Sequence, residues 1–71
     1  MDTKTAKAIL PLVNDPDRYP LLQVYIDMRI ETIRGYLETA SEHSKVISMQ
    51  GEIAELRRML TLREQAIEAC R

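Results

Sequence analysis

The sequence predicts an all-α protein: an antiparallel, coiled-coil-like two-helix hairpin with a short N-terminal helical arm. Three observations support this prediction. Pro11, Pro16 and Pro20 all lie within the first 20 residues, so residues 21–71 contain no strong helix breaker. Apolar residues then recur at spacings of three and four, the periodicity of an amphipathic helix. No alternating run bounded by turn residues indicates a β-strand.

The N-terminal arm is predicted to comprise residues 1–16. Asp2 or Thr3 can cap a short helix that reaches Val13, since short polar side chains accept hydrogen bonds from first-turn N–H groups. Pro11 is expected to bend or end this helix, because proline lacks a backbone donor and clashes with the preceding turn. A turn over residues 14–17 follows. The apolar side chains near the end of the arm are Ile9, Leu10, Leu12 and Val13.

The first long helix is predicted over residues 19–40. Pro20 suits its first turn, where the missing donor has no partner in any case. Side chains three and four residues apart share one face of a helix, so this segment presents one continuous apolar stripe. The stripe predicts five hairpin core residues in this helix, which are Leu22, Ile26, Ile30, Ile33 and Leu37.

The second long helix is predicted over residues 42–69, after a break near Thr39–Ser41 with Ser41 as the N-cap. Its apolar positions follow a heptad pattern that only Arg63 violates. A short connection between two long amphipathic helices makes them antiparallel neighbours, within a single domain of residues 1–71. The predicted core residues of this helix are Val46, Met49, Ile53, Leu56, Leu60 and Ile67.

The first long helix carries more apolar surface than one seam can bury. A second row beside the seam widens the apolar surface to roughly half the circumference, well above the ~100° stripe that one packing face needs. This row, Leu21, Tyr25, Met28 and Tyr36, is the predicted interface with a protein partner or a second copy. The alternative is that it packs on the N-terminal segment. The arm residues Ile9, Leu12 and Val13 either cover the C-terminal end of the second helix or join the partner interface.

Charge and hydropathy disfavour several classes of partner. Ten basic residues stand against eleven acidic ones, whereas nucleic-acid binding relies on an excess of Lys and Arg. The densest basic group, Arg57, Arg58 and Arg63, is flanked by glutamates, so a nucleic-acid-binding accessory role is the last of three hypotheses. No apolar run approaches the 18 residues of a membrane span, and no signal peptide is recognisable, so a protein that is not secreted is expected.

Catalytic and metal-binding patterns are missing from the sequence. His43 is the only histidine and Cys70 the only cysteine, so no Cys/His pair stands at metal-ligand spacing. A helical hairpin also offers little concave volume in which a catalytic group could be desolvated. We therefore expect a protein that is not an enzyme, with no catalytic residues, no cofactor, no metal and no small-molecule substrate.

Three stretches of the chain carry a resemblance. DPDRYPLLQVYIDMRIETIR at residues 15–34, LETA at 37–40 and QGEIAELRRMLTLRE at 50–64 together resemble small helical accessory proteins of tailed bacteriophages. The resemblance implies a virion or assembly component that docks on a larger structural protein such as a portal, capsid or tail protein, and is found in the virion or the host cytoplasm. A phage-encoded inhibitor of a host enzyme or defence complex is the second hypothesis.

Overall fold

The chain forms four helices and no strand, in a computed structural model that describes residues 1–71. The helices are α1 (Thr3–Val13), α2 (Arg18–Thr39), α3 (His43–Met59) and α4 (Leu62–Ala69). The predicted all-α class is confirmed. The turn before α2 is held by Asp15, whose carboxylate Oδ1 accepts from the N–H groups of Asp17 and Arg18 at 2.8 and 2.9 Å.

Helix α1 is capped at its start and continues past its proline. The Asp2 carboxylate accepts from the Thr5 N–H at 3.1 Å, which satisfies one orphan donor of the first turn. Pro11 lies inside α1, yet the helix ends only at Val13. The missing N–H of Pro11 removes one hydrogen bond, near the C-terminal end of the helix.

Helices α2 and α3 pack along an apolar seam. Tyr19 at the start of α2 lies within hydrogen-bonding reach of Leu60, just beyond the end of α3, so the two helices run in opposite directions. Burial of branched apolar side chains on both helices stabilises this contact. The buried members, here called the seam cluster, are Ile26, Ile30, Ile33 and Ile53, with Leu22, Leu37, Met49, Leu56 and Leu60 packed around them.

The connection between α2 and α3 differs from the predicted one. Residues 40–42 join the helices, and Glu42 occupies the N-cap position of α3 without a side-chain hydrogen bond. The prediction that Ser41 caps this helix was wrong. A cap by Ser41 would require the helix to begin one residue earlier, and the extended Glu42 backbone (φ −82°, ψ 126°) prevents that.

The predicted single helix over residues 42–69 was also wrong, because the chain divides it at Leu60–Thr61. Thr61 has φ −100° and ψ 19°, outside the helical region, so the backbone ladder is interrupted there. The Thr61 hydroxyl donates to the Arg58 carbonyl at 2.8 Å, and the Gln65 side-chain amide donates to the same carbonyl at 2.8 Å. These polar groups replace regular helix bonds at the break.

The break directs α4 onto α1. The residues buried between these helices and the start of α2, here called the end cluster, are Ala6, Val13, Tyr19 and Ala66. Ala6 and Ala66 have no exposed surface, so they allow the two helices to approach closely. The Thr3 hydroxyl adds a hydrogen bond to the Ala69 carbonyl at 3.2 Å. The N-terminal helix thereby covers the C-terminal one.

The Tyr19 hydroxyl bridges the two sides of the break. It donates to the Leu60 carbonyl at 3.4 Å and accepts from the Arg63 N–H at 3.1 Å. The Leu60 carbonyl lies just beyond the end of α3, and the Arg63 N–H belongs to the first turn of α4. One side chain of α2 therefore satisfies polar groups that helix ends otherwise leave without partners.

The molecule is long and thin. Its radius of gyration is 14.7 Å, whereas a compact domain of this length has about 11 Å. Its extents are 44, 25 and 13 Å. From Leu21 to Thr39, α2 packs on α3 along its seam side, and its opposite side is exposed.

Candidate protein-docking face on α2

The side of α2 that points away from the seam is free of charge over about five turns. At about 100° per residue, eight positions between residues 21 and 39 fall within an arc of about 120° opposite the seam. The nearest charged side chains, Arg29 and Glu31, stand just outside the two edges of this arc. The eight residues, here called the outer face, are Leu21, Val24, Tyr25, Met28, Thr32, Gly35, Tyr36 and Thr39, and all are exposed.

The large side chains of the outer face are open to solvent. Their exposed fractions are 69% for Leu21, 66% for Val24, 54% for Tyr25, 53% for Met28 and 62% for Tyr36. Scattered exposed apolar residues are ordinary on protein surfaces, but a contiguous apolar row marks an interaction site. The predicted row therefore lies on the surface and does not pack on the N-terminal segment.

Four members of the outer face were missed from the sequence. They are Val24, Thr32, Gly35 and Thr39, none of which belongs to the predicted row. The spacing from Leu21 to Thr39 contained the signal. It alternates as four, three, four, three and four, which is the heptad spacing of a second helix-packing seam.

The polar atoms of Thr32 and Thr39 are already satisfied within α2. The Thr32 hydroxyl donates to the Met28 carbonyl at 3.0 Å, and the Thr39 hydroxyl donates to the Tyr36 carbonyl at 3.2 Å. Burial of a hydroxyl is costly only when it loses its hydrogen bond. Both threonines can therefore enter an apolar interface, and between them Gly35 has no other atom within 4 Å of its missing Cβ position.

The arm residues of the predicted interface divide between core and surface. Val13 is 2% exposed within the end cluster, and Ile9 packs against that cluster. Val13 is therefore unavailable to a partner, because α4 and the start of α2 enclose it. Leu12 lies about 100° around α1 from Val13 and is 39% exposed.

Two of the predicted core residues, Val46 and Ile67, lie outside both buried clusters and are half-buried. The break at Leu60–Thr61 explains Ile67, since α4 presents Leu62, Ala66 and Ala69 to the end cluster instead. Arg63, the exception in the heptad pattern, is exposed, and its Nε donates to the Asn14 side-chain oxygen at 3.1 Å.

The concave parts of the surface are two open grooves beside the seam. One, of about 260 Å³, is lined by Arg34, Leu37, Gln50, Ile53, Ala54 and Arg57. The other, of about 300 Å³, lies beside the α2–α3 connection and is lined by Tyr36, Thr39, Ala40, Ser41, Glu42, Lys45 and Met49. No polar or charged residue is buried, and no three His, Cys, Asp or Glu side chains are grouped to hold a metal ion.

The basic group in the second half of the chain is partly engaged within the molecule. Arg58 pairs with Glu55 at 3.0 Å, and Arg63 is bonded to Asn14. Arg57 lines the groove against α2. Each of the three arginines therefore has its own local contacts, and all three are exposed.

Comparison of the chain with protein-family models, with curated proteins and with solved structures gives no match. None of the four helices combines the length and the hydropathy that a membrane crossing requires. The outer face of α2 is an exposed, charge-free strip about 27 Å long, since each helical residue rises about 1.5 Å.

Proposed function

We propose that this chain is a non-enzymatic interaction protein that works by docking the outer face of α2 on another protein chain. The observation that carries the proposal is the exposed, charge-free strip from Leu21 to Thr39 on the side of α2 opposite its seam with α3. Transfer of such a strip out of water is favourable, by a free energy in proportion to its apolar area. Tyrosine and methionine also suit a docking surface, because one pairs an apolar ring with a polar tip and the other adapts its shape.

In this proposal, α2 and α3 form the antiparallel hairpin that displays the outer face. The arm, α1, covers the end of the chain by packing on α4. These separate roles of α1 and α2 are supported by the two clusters, because the seam cluster occupies one side of α2 and leaves the other side uncovered. A non-catalytic role is supported by the open grooves and by the position of every charged side chain outside the cores.

The proposed setting is the assembly or the particle of a tailed bacteriophage, where the chain associates with a portal, capsid or tail protein. Support for this setting comes from the resemblance of residues 14–64 to phage accessory proteins. Arginine and glutamate around the outer face would then fix the register of docking, since charged rims contribute more to specificity than to affinity.

The test is incorporation of the chain into purified phage particles, measured by mass spectrometry. The double variant Tyr25→Glu, Met28→Glu should be depleted from particles at least about 10-fold, because two carboxylates cannot be buried without partners. Ile47→Glu is the matched control: Ile47 is 54% exposed on α3, away from the outer face, and its variant should be incorporated normally.

Two results would contradict the proposal. Equal incorporation of the double variant and the native chain would remove the outer face from the docking mechanism. Absence of the native chain from particles, together with binding to a protein of the uninfected host, would favour the alternative of a phage-encoded inhibitor of a host enzyme or defence complex.

A further inference from the structure

We propose that the chain covering the outer face is a second copy of this protein, bound with its α2 antiparallel to the first. The inference rests on the proposed function and names the partner of the same face, so a portal, capsid or tail protein would contact the dimer at a different surface. Three observations carry it: the surface area of the chain, the order of large and small residues along α2, and the internal hydrogen bonds of the two threonines.

The exposed area matches what one partner contributes to a dimer. The chain exposes 5280 Å², whereas a globular monomer of 8.2 kDa exposes about 4,500 Å² by the scaling of surface with mass. The excess of about 700–800 Å² is close to the ~800 Å² that each partner contributes to a stable interface of standard size. One interface with a second copy would therefore remove the surplus.

The residues along the outer face are graded by size. Leu21, Tyr25 and Met28 occupy the seam positions of the first half, and Thr32, Gly35 and Thr39 occupy those of the second half. Their spacing is symmetric about residue 30. A two-fold rotation about that point pairs these three large seam residues with small ones: Leu21 with Thr39, Tyr25 with Gly35, and Met28 with Thr32 of the other copy. Val24 and Tyr36 lie at the edges of the strip, outside this pairing.

This pairing fills the interface evenly. Alternation of large and small residues across facing positions gives close packing, and Gly35 leaves room for the ring of Tyr25. A parallel pair would instead stack three small layers on one another and leave voids, which forfeit contact energy. The threonine hydroxyls remain bonded to their own helix in either case, so burial in the interface leaves neither of them without a hydrogen bond.

Repulsion between like charges at the edges of the strip opposes the dimer modestly. The rotation places Arg29 beside its own counterpart along one edge, and Glu31 beside its counterpart along the other. Both residues are exposed, so solvent and salt screen the repulsion. Glu31 is also paired with Arg34 at 2.7 Å within its own chain. The apolar area between the edges is far larger than the area of these two like-charge contacts.

Sedimentation equilibrium of the full chain tests the dimer. We expect the mass of two chains for the native protein and a dissociation constant at least about 100-fold weaker for Tyr25→Glu, Met28→Glu. Thr32→Glu places one charge in the central layer and should also weaken the dimer, while Ile47→Glu should not. Far-UV circular dichroism will confirm that each variant remains helical.

Disulfide trapping tests the orientation, in a Cys70→Ser background that removes the native thiol. In the antiparallel dimer, residue 25 lies opposite residue 35, and each lies about 15 Å along the helix from its own counterpart. Because a disulfide needs Cα atoms within about 7 Å, Tyr25→Cys and Gly35→Cys chains should cross-link when mixed and not when oxidised alone.

Three outcomes would overturn the inference: a native chain that stays monomeric at about 1 mM, a dimer that survives both outer-face variants, and cross-linking of each cysteine variant with itself alone. A monomeric chain whose Tyr25→Glu, Met28→Glu variant is still depleted from phage particles would overturn the dimer and leave the proposed function standing. A native chain that is dimeric but absent from particles would overturn the proposed function and leave the dimer standing.

Discussion

The seam cluster joins α2 and α3 through four isoleucines, whereas the end cluster joins α1, α4 and the start of α2 through two alanines, a valine and a tyrosine. The seam depends on apolar volume repeated at heptad spacing. The end cluster depends on close approach of small residues and on one hydroxyl at a helix break. The comparison shows that two parts of one small helical protein can be stabilised by different proportions of apolar burial and hydrogen bonding.

The largest expected effect is at the seam. Ile26 is 1% exposed, so Ile26→Ala removes buried methyl groups and leaves a cavity, which costs about 2–5 kcal/mol. Denaturant unfolding at one fixed protein concentration will measure the loss. Leu12→Ala is the control, because Leu12 is exposed and its variant should change stability by less than about 0.5 kcal/mol. A loss below about 1 kcal/mol for Ile26→Ala would mean that the seam is not the main core.

The next effect separates the two clusters. Ala66 has no exposed surface, so Ala66→Leu should overpack the contact between α1 and α4 and cost about 1–3 kcal/mol. Hydrogen exchange should accelerate at α4 amides and change little in α2 and α3. Ala54→Leu, on an exposed position of α3, should leave exchange unchanged. Uniform acceleration along the chain would show that both clusters unfold as one unit.

A smaller effect isolates the hydroxyl at the break. Tyr19→Phe keeps the ring and removes two hydrogen bonds, to the Leu60 carbonyl and from the Arg63 N–H, for a loss of about 1–2 kcal/mol. Tyr36→Phe is the matched control, since its ring is exposed and its hydroxyl makes no hydrogen bond within the chain. Equal stability of the two variants would contradict the bridging role of Tyr19.

The smallest expected effect concerns the start of α1. Hydrogen bonding from the Thr5 side chain, and then from the Thr5 N–H, lowers the pKa of Asp2 below its ordinary value of 3.8. A lowered folded-state pKa means that the cap stabilises α1 above about pH 4, and that this contribution is lost as pH falls through the folded pKa. The Thr5 amide should lose exchange protection at low pH. Asp2→Asn, which can still cap, should abolish this step while other carboxyl titrations persist.

Much of the fold could be predicted from the sequence because its signals are local. After Pro20 the only glycine or proline residues are Gly35 and Gly51, so the sequence predicted two long helical segments. The isoleucine spacing located the seam cluster. The exposed row on α2 followed from the same geometry. Tyr19 stands three residues before Leu22, so the stripe itself could have extended to it, but its contact with Leu60 links residues 41 positions apart.

The amino-acid sequence alone determined the helical class, the face of α2 that meets α3, and the apolar character of its opposite face, because these depend on periodicity within one segment. Only the tertiary structure decided that the second segment breaks at Leu60–Thr61, that α4 packs on α1, and that Val13 is buried. The physical reason is that no residue at the break forbids a helix. The chain bends there because Tyr19, Ala6 and Ala66 supply contacts and hydrogen bonds that a straight helix would leave unmade.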